Sequence, residues 1–321
     1  MSRNIGKPGF ELTRREFLAA AAGAASTAGA AERTWAGDTP LADGALRPVR
    51  LAVVGGGFGA TFPFRGRSDI VVTAACDPDP AARDRLRRAY RPAVLCERFD
   101  QLLALPEVDA VAVFSPGPLR ATMAARAAAY GRHVLCGTPI ATTPDALRYV
   151  KDTVDRADVN LMLADIAAMK GGILADTVRA SGAPIGPVVG TQWNIPASDA
   201  SDMRRFLLPP LAFHFALGDP PCDVAVHSAS ARRARLLAAE IRCESGAIAR
   251  VTAADPSFDH NQPFAQITGR DATPVEAAAP SPIEATDAIV AEFANAVRTG
   301  RTPRLDLEYA AAVMQLTSVT N

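Results

Sequence analysis

The stretch VRLAVVGGGFGATFPFRGRSDIVVTAACDPD (residues 49–79) constrains the fold more tightly than any other part of the chain. Residues 50–54 are a short apolar run and read as a buried strand. Gly55-x-Gly57-x-x-Ala60 follows at once, and a second apolar run over 70–76 ends at Asp77. Glycines directly after a buried strand permit a tight turn and the close approach of backbone to a pyrophosphate. An acid at the end of the next strand is placed to accept hydrogen bonds from ribose hydroxyls and to repel a 2′-phosphate. Strand, glycines, strand and acid in this order predict a dinucleotide site. Pro78, not an arginine, follows Asp77, so NAD is favoured over NADP. Only 17 residues (77 − 60) separate Ala60 from Asp77, and Pro63 falls early in the intervening segment. The helix after the turn is therefore expected to be short and the cradle abbreviated.

The alternation then continues. Helices are expected over 79–90, 100–104, 119–130 and 143–156, with strands over 93–96, 109–114, 133–136 and 160–164. Thr143 is a plausible N-cap of the last helix and Pro144 its first residue. Strands alternating with amphipathic helices mean a parallel sheet covered on both faces. Further on, strands are expected over 222–229, 236–243 and 247–253, the last two joined at a Ser245-Gly246 hairpin turn. A helix over 283–298 and a final helix in LDLEYAAAVMQLTSV close the chain. A chain of 321 residues is long enough for two domains.

Residues 12–31, LTRREFLAAAAGAASTAGAA, pair Arg14-Arg15 and Phe17-Leu18 with an alanine-rich run. This resembles a twin-arginine export signal, removed after Ala30 or Ala36. The organisation expected is a leader (1–36), a linker (37–48) and two domains (49–165 and 166–321), with a periplasmic or extracytoplasmic destination. The run is too short and too alanine-rich for a convincing membrane span, so no membrane attachment is expected after cleavage. Charge is balanced at 34 basic and 34 acidic residues, which favours neither nucleic acid nor an anionic surface. The five cysteines are widely separated, form no metal-ligand spacing, and are expected to be small buried hydrophobes; no metal is expected.

The segment LLALPEVDAVAVFSPGPLRATMAARAAAYGRHVLCGTPIATTPDAL (102–147) resembles the glucose–fructose oxidoreductase/inositol dehydrogenase/MocA (Gfo/Idh/MocA) family, and the similarity runs from about Arg50 to the C-terminus. The resemblance implies a fold of class α/β, with an N-terminal Rossmann-type doubly wound parallel sheet. A C-terminal α+β domain with a mostly antiparallel open sheet would follow, and that sheet would mediate homo-oligomerisation. It also implies nicotinamide-dependent oxidation or reduction of sugars and polyols.

The same resemblance exposes departures. Where the family carries Glu-Lys-Pro, this chain has Gly137-Thr138-Pro139, so the lysine near the reacting carbon is missing. Threonine can hydrogen-bond a hydroxyl but cannot replace an ammonium. In RRFLLPPLAFHFALGDPP (204–221) prolines stand where glycines are expected, and His214 matches the family histidine without an acid one turn before it. The candidates for chemistry are thus His214, Asp165 and Thr138. Asp165 reads equally well as a helix N-cap, and His214 as a structural histidine. Of the three lysines, Lys7, Lys151 and Lys170, only Lys170 lies where it could lean toward a cleft. The expected cofactor-binding set is Gly55, Gly57, Phe58, Gly59, Asp77, Ser115, Pro116, Gly137 and Pro139. Three readings stay open: a sugar or polyol oxidoreductase, an inactive relative retained for binding or assembly, and an NAD-dependent glycosidase.

Overall fold

The computed structural model describes residues 47–181, 187–196, 204–231, 234–254, 264–270 and 274–318. The leader and nearly all of the expected linker lie outside the described residues, as does His260.

The first sheet is built from β1 (Val49–Val54), β2 (Ile70–Cys76), β3 (Val94–Cys96), β4 (Ala110–Val113), β5 (His133–Gly137) and β6 (Leu161–Ala164). Its order is β3-β2-β1-β4-β5-β6, and all neighbours are parallel. β1, β4, β5 and β6 are buried along almost their whole length, which is why they read as continuous apolar runs without alternation. The order reverses between β1 and β4, which opens a crevice past their carboxyl ends.

The crossover helices follow the local signals closely. α1 (Pro80–Tyr90) starts at Asp79, whose carboxylate accepts from the N–H groups of Ala81 and Ala82. α2 (Phe99–Leu103) is a short connector. α3 (Gly117–Ala129) buries five alanines, so it seats close against the sheet. α4 (Pro144–Ala157) begins at Thr143, whose Oγ1 accepts from the Ala146 N–H at 3.2 Å, and Pro144 is its first residue, as the sequence predicts.

The second sheet contains β7 (Val188–Pro196), β8 (Pro221–Ala231), β9 (Ala234–Cys243), β10 (Ile248–Ala254), β11 (Ala265–Gly269) and β12 (Val275–Ala277). Its order is β12-β11-β7-β10-β9-β8, antiparallel throughout except where β10 runs parallel to β7. α5 (Ile166–Ala180) leads from the first sheet to the second, and α6 (Arg204–Leu217) joins β7 to β8 within the second. α6 was not legible as a helix, because Pro209 and Pro210 lie inside it and proline removes an interior hydrogen bond. At these prolines the helix packs closely on α5: a Cβ on Gly171 would lie 1.9 Å from the Pro209 carbonyl oxygen, so the two backbones touch where no larger residue fits. α7 (Pro282–Thr299) opens with a Ser281/Glu284 capping box and α8 (Leu307–Ser318) ends the described chain. Arg304 ties α7 to α5 through Glu292 (2.5 Å) and Asp176 (2.8 Å).

Candidate functional site

β1 delivers the chain into Gly55, whose φ of 97° lies in the left-handed region. Gly56 is pressed onto α1, and a Cβ there would lie 2.1 Å from the Ala82 carbonyl oxygen. Arg85 holds the turn from the other side, its Nε donating to the Gly56 carbonyl at 2.9 Å. Asp77 stands beside it at the end of β2. Its Oδ2 accepts from the Gly56 N–H (2.7 Å) and its Oδ1 from the Asp79 N–H (2.9 Å). The expected ribose-binding acid therefore also clamps the turn, while each carboxylate oxygen keeps a further lone pair.

The helix expected to follow is a single 3₁₀ turn, Phe58–Thr61. Its place is taken by rings: Phe62 packs on Phe114 with centroids 4.8 Å apart, and Phe58 lies 5.3 Å from each of them. Phe64 continues the cluster, and the Tyr90 hydroxyl donates to the carbonyls of Gly59 and Phe62. Pro63 and the aromatic run thus exchange a helix dipole for an apolar plug. Gly57 is exposed, with nothing within 4 Å of the space a side chain would take, whereas Gly59 is buried against Phe114 and Val53. At the end of β4, Ser115 Oγ is buried with no hydrogen-bond partner among the described residues, and Pro116 next to it is exposed. An open glycine backbone, an acid with spare lone pairs and an orphaned hydroxyl on one edge fit a dinucleotide. The turn's own N–H groups, rather than a long helix, would meet its phosphates.

One strand further, β5 ends at buried Gly137, and the Thr138–Pro139 peptide is cis. Thr138 is half-buried, and its hydroxyl donates to Asp165 Oδ2 at 2.9 Å. Asp165 follows β6 and caps α5, with Oδ1 accepting from the Ala168 N–H at 3.0 Å. The cap reading of Asp165 is therefore realised together with the pairing to Thr138. Tyr309 of α8 is buried nearby. Its phenol is pushed well above the ordinary range, first by burial and then by the Asp165 charge.

Sequence reasoning missed Arg120. From α3 its Nε donates to the Ser115 carbonyl (2.9 Å) and its Nη1 to those of Thr138 (2.5 Å) and Pro139 (3.2 Å). The guanidinium lies over Gly137, 3.5 Å from where a Cβ would stand. A cation thus reaches the turn that lacks the family's lysine, and glycine in place of glutamate leaves room for it. A positive residue one turn into α3, against the helix dipole, is the signal that could have found it.

The other candidates fall elsewhere. His214 has no exposed surface and sits beneath the second sheet, where Nε2 is 3.2 Å from Thr191 Oγ1, itself an acceptor from Trp193 Nε1 at 2.8 Å. Burial lowers its pKa to about 4, and no hydrogen bond or ion pair joins it to Thr138 or Asp165 among the described residues. Lys170 is half-buried on α5 with its pKa lowered by burial, whereas Lys151 bridges Asp155 and Glu308 at the surface. Cys76 and Cys136 are buried thiols pushed up to about 12 by burial, as expected of inert small hydrophobes; Cys222 is exposed. Concavities of about 400 Å³, one lined by Arg87, Arg88 and Arg91 and one by Pro106, Tyr130 and Arg132, contain none of the edge groups.

A parallel sheet of order 3-2-1-4-5-6, with a glycine turn after β1 and an acid after β2, defines a Rossmann-type nucleotide-binding domain. Residues 49–164 match the model of the Gfo/Idh/MocA oxidoreductase family, NAD-binding Rossmann fold. Over 178 residues the chain is 27% identical to a glycosyl hydrolase family 109 protein of Shewanella amazonensis; the match covers 48% of this chain and only 39% of that relative. The fold as a whole is that of aldose–aldose oxidoreductase from Caulobacter crescentus, solved with glycerol (TM-score 0.66, 20% identity, 85% of this chain and 96% of that one). It is also that of scyllo-inositol dehydrogenase from Lactobacillus casei, solved with NAD(H) and scyllo-inositol (TM-score 0.64, 15% identity, 84% and 94%). The mostly antiparallel second sheet expected from the resemblance is present.

Proposed function

We propose that this protein is an exported NAD-dependent oxidoreductase acting on a sugar or polyol. The observation that carries the reading is the convergence, on one sheet edge, of the Gly55–Gly57 turn, Asp77, the orphaned Ser115 hydroxyl and the Thr138–Asp165 pair. Gly55, Gly57, Phe58, Gly59, Asp77, Ser115, Pro116, Gly137 and Pro139 would hold NAD, which supplies a hydride acceptor or donor when bound. Thr138 then faces the substrate hydroxyl. In the oxidising direction its Oγ accepts that hydroxyl's proton while its own proton passes to Asp165 Oδ2, and the reverse transfer serves reduction. Arg120 ties the ends of β4 and β5 together and supplies positive charge beside the turn. The Arg14-Arg15 leader supports export, and the exposed row Gln192, Arg250 and Ala225 across the second sheet supports self-association.

The test is the nucleotide content of the chain from residue 37 onward, purified without added cofactor, followed by titration with NAD and a polyol screen. Stoichiometric NAD, or saturable binding, with turnover of a polyol supports the reading. No binding at all overturns it and leaves the fold as a scaffold for binding or assembly. The match to the Shewanella protein favours one second reading, an NAD-dependent glycosidase. Release of the aglycone from an aryl glycoside, without net accumulation of NADH, would select it.

A further inference from the structure

Behind the second sheet, three metal-ligating side chains from separate segments meet. α6 ends at Leu217, the chain reverses at Gly218, and the Asp219 N–H donates back to the His214 carbonyl at 3.1 Å. This places Asp219 Oδ2 3.9 Å from His214 Nδ1. The tip of the β9–β10 hairpin is laced onto the same loop. Ser245 donates to Asp219 twice, through its N–H (2.9 Å to Oδ1) and its hydroxyl (2.7 Å to Oδ2), and the Glu244 N–H donates to the Pro220 carbonyl (3.1 Å). Cys243, the last residue of β9, is thereby brought to the pair, and the donor atoms of His214, Asp219 and Cys243 all lie within 4.8 Å of one another.

His214 makes this more than a polar cluster. The ring is sealed from solvent, yet Nδ1 has no hydrogen-bond partner among the described residues. A buried nitrogen left without a partner costs about 1–3 kcal/mol. Its other nitrogen faces Thr191 Oγ1, which also accepts from Trp193. In the Nε2–H tautomer, whose proton Thr191 Oγ1 can accept, the Nδ1 lone pair faces Asp219 and Cys243, the arrangement in which an outer hydrogen bond orients a histidine ligand. Ser245 does the same for Asp219.

We propose that His214 Nδ1, Asp219 Oδ2 and Cys243 Sγ bind a divalent transition-metal ion of the zinc class. Neutral imidazole, one carboxylate and one thiolate balance a charge of +2, so the filled site is neutral and suited to burial. Thiolate and imidazole select zinc-like ions over magnesium or calcium. Metal–nitrogen and metal–sulfur bonds of about 2.0–2.3 Å put tetrahedral donors roughly 3.5 Å apart, so closing the cluster takes a contraction on the order of 1 Å. Asp219 is the one ligand with appreciable exposure and marks the side on which water completes the coordination. Binding displaces the Cys243 thiol proton to solvent, one proton per ion, with no redox change. The site holds the end of α6 to the β9–β10 hairpin. Spacing could not show it, because the ligands come from one helix, its exit loop and a distant strand.

The full chain, stripped with a chelator, is titrated with Co²⁺ while absorbance and released protons are followed. The expected result is one equivalent bound per chain, with a thiolate-to-cobalt band in the near ultraviolet, bleached by Zn²⁺. Zn²⁺ should also raise the thermal midpoint of the wild type. Cys243→Ser should abolish the thiolate band, Asp219→Asn and Thr191→Val should each weaken binding by about tenfold or more, and Cys222→Ser should change nothing. Circular dichroism of the metal-free variants establishes that they fold. If Cys243→Ser does not fold, the wild-type spectrum decides. Absence of a saturable thiolate band from the folded wild type, its persistence in folded Cys243→Ser, or its loss in Cys222→Ser overturns the assignment.

Discussion

At the amino ends of the first sheet, charge is locked into the scaffold. Asp109 receives the Arg50 guanidinium at 2.6 and 3.0 Å and the Arg50 N–H at 2.9 Å. Arg132 donates to the carbonyls of Val108 and Leu105, and His133 Nδ1 accepts from the Asn160 N–H at 2.9 Å. At the carboxyl ends, one strand length away, Ser115 keeps an unpartnered hydroxyl, Gly57 an open backbone, and Thr138 a half-exposed side chain in front of a buried carboxylate. The same residue types serve both ends; what differs is whether their hydrogen-bonding capacity is already used. Unused capacity at the crevice, and not polarity as such, marks the site.

The amino end should therefore carry stability and the carboxyl end chemistry. Asp109→Ala leaves the Arg50 guanidinium and N–H without their acceptor, and the loss, moderated by Arg50's partial exposure, should be about 3 kcal/mol. Urea denaturation measures it, and NAD affinity of the folded fraction should be unchanged. A matching loss of affinity would erase the distinction between the two ends.

His133 gives the pH test of the same end. Burial lowers its pKa from 6.5 to about 4, against the opposing charges of Asp109 and Asp158. The unfolded chain binds the proton more readily, so the stabilisation is complete above pH 6.5 and is lost as pH falls through 4, by up to about 3 kcal/mol. His133→Asn removes the titration and should flatten the urea midpoint between these pH values. An unchanged slope would place the acid sensitivity elsewhere.

How much of this could be read from the chain depends on how local the cause is. The strands and helices between Val49 and Ala164 follow from apolar runs, Asp79 and Thr143 caps and proline starts, all encoded within a few residues. The shortened first helix was legible in Pro63 and the 17-residue spacing (77 − 60), although its replacement by a phenylalanine cluster depends on Phe114, half a domain away. The Thr138–Asp165 pair was named residue by residue but not as a pair, since register between β5 and β6 decides it. Arg120 was invisible because its partners are main-chain carbonyls, which carry no sequence signature. α6 was obscured by Pro209 and Pro210, which lie inside it.

Asp165→Asn is the sharpest probe of the carboxyl end. Asparagine still caps α5 and still accepts from Thr138, so stability should change by less than about 1 kcal/mol. Only the charge that receives the proton is lost, and polyol turnover should fall on the order of 100-fold. Unchanged turnover would reduce Asp165 to a helix cap. Arg120→Met should act more gently, because it frees the carbonyls of Ser115, Thr138 and Pro139 without touching the proton path. A rise of about tenfold in KM for polyol, with kcat nearly unchanged, is expected from a looser turn.

The smallest effect concerns the missing lysine. If the Gly137-Thr138-Pro139 turn had merely lost one cation, Thr138→Lys should restore robust dehydrogenase activity. The geometry argues otherwise. An ammonium at this position would lie beside buried Asp165 and pair with it, so its charge would be spent on the carboxylate and not on the reacting oxygen. It would also meet the Arg120 guanidinium already bound to the Thr138 carbonyl. The substitution removes the hydroxyl through which the proton path runs, and His214 cannot help, being sealed beneath the other sheet. Turnover of a polyol panel by Thr138→Lys should stay at or below the wild-type rate, measured as NADH formation at saturating NAD. A gain of about 100-fold would mean that this turn had merely lost one cation, and that Arg120 and Asp165 are bystanders to the chemistry.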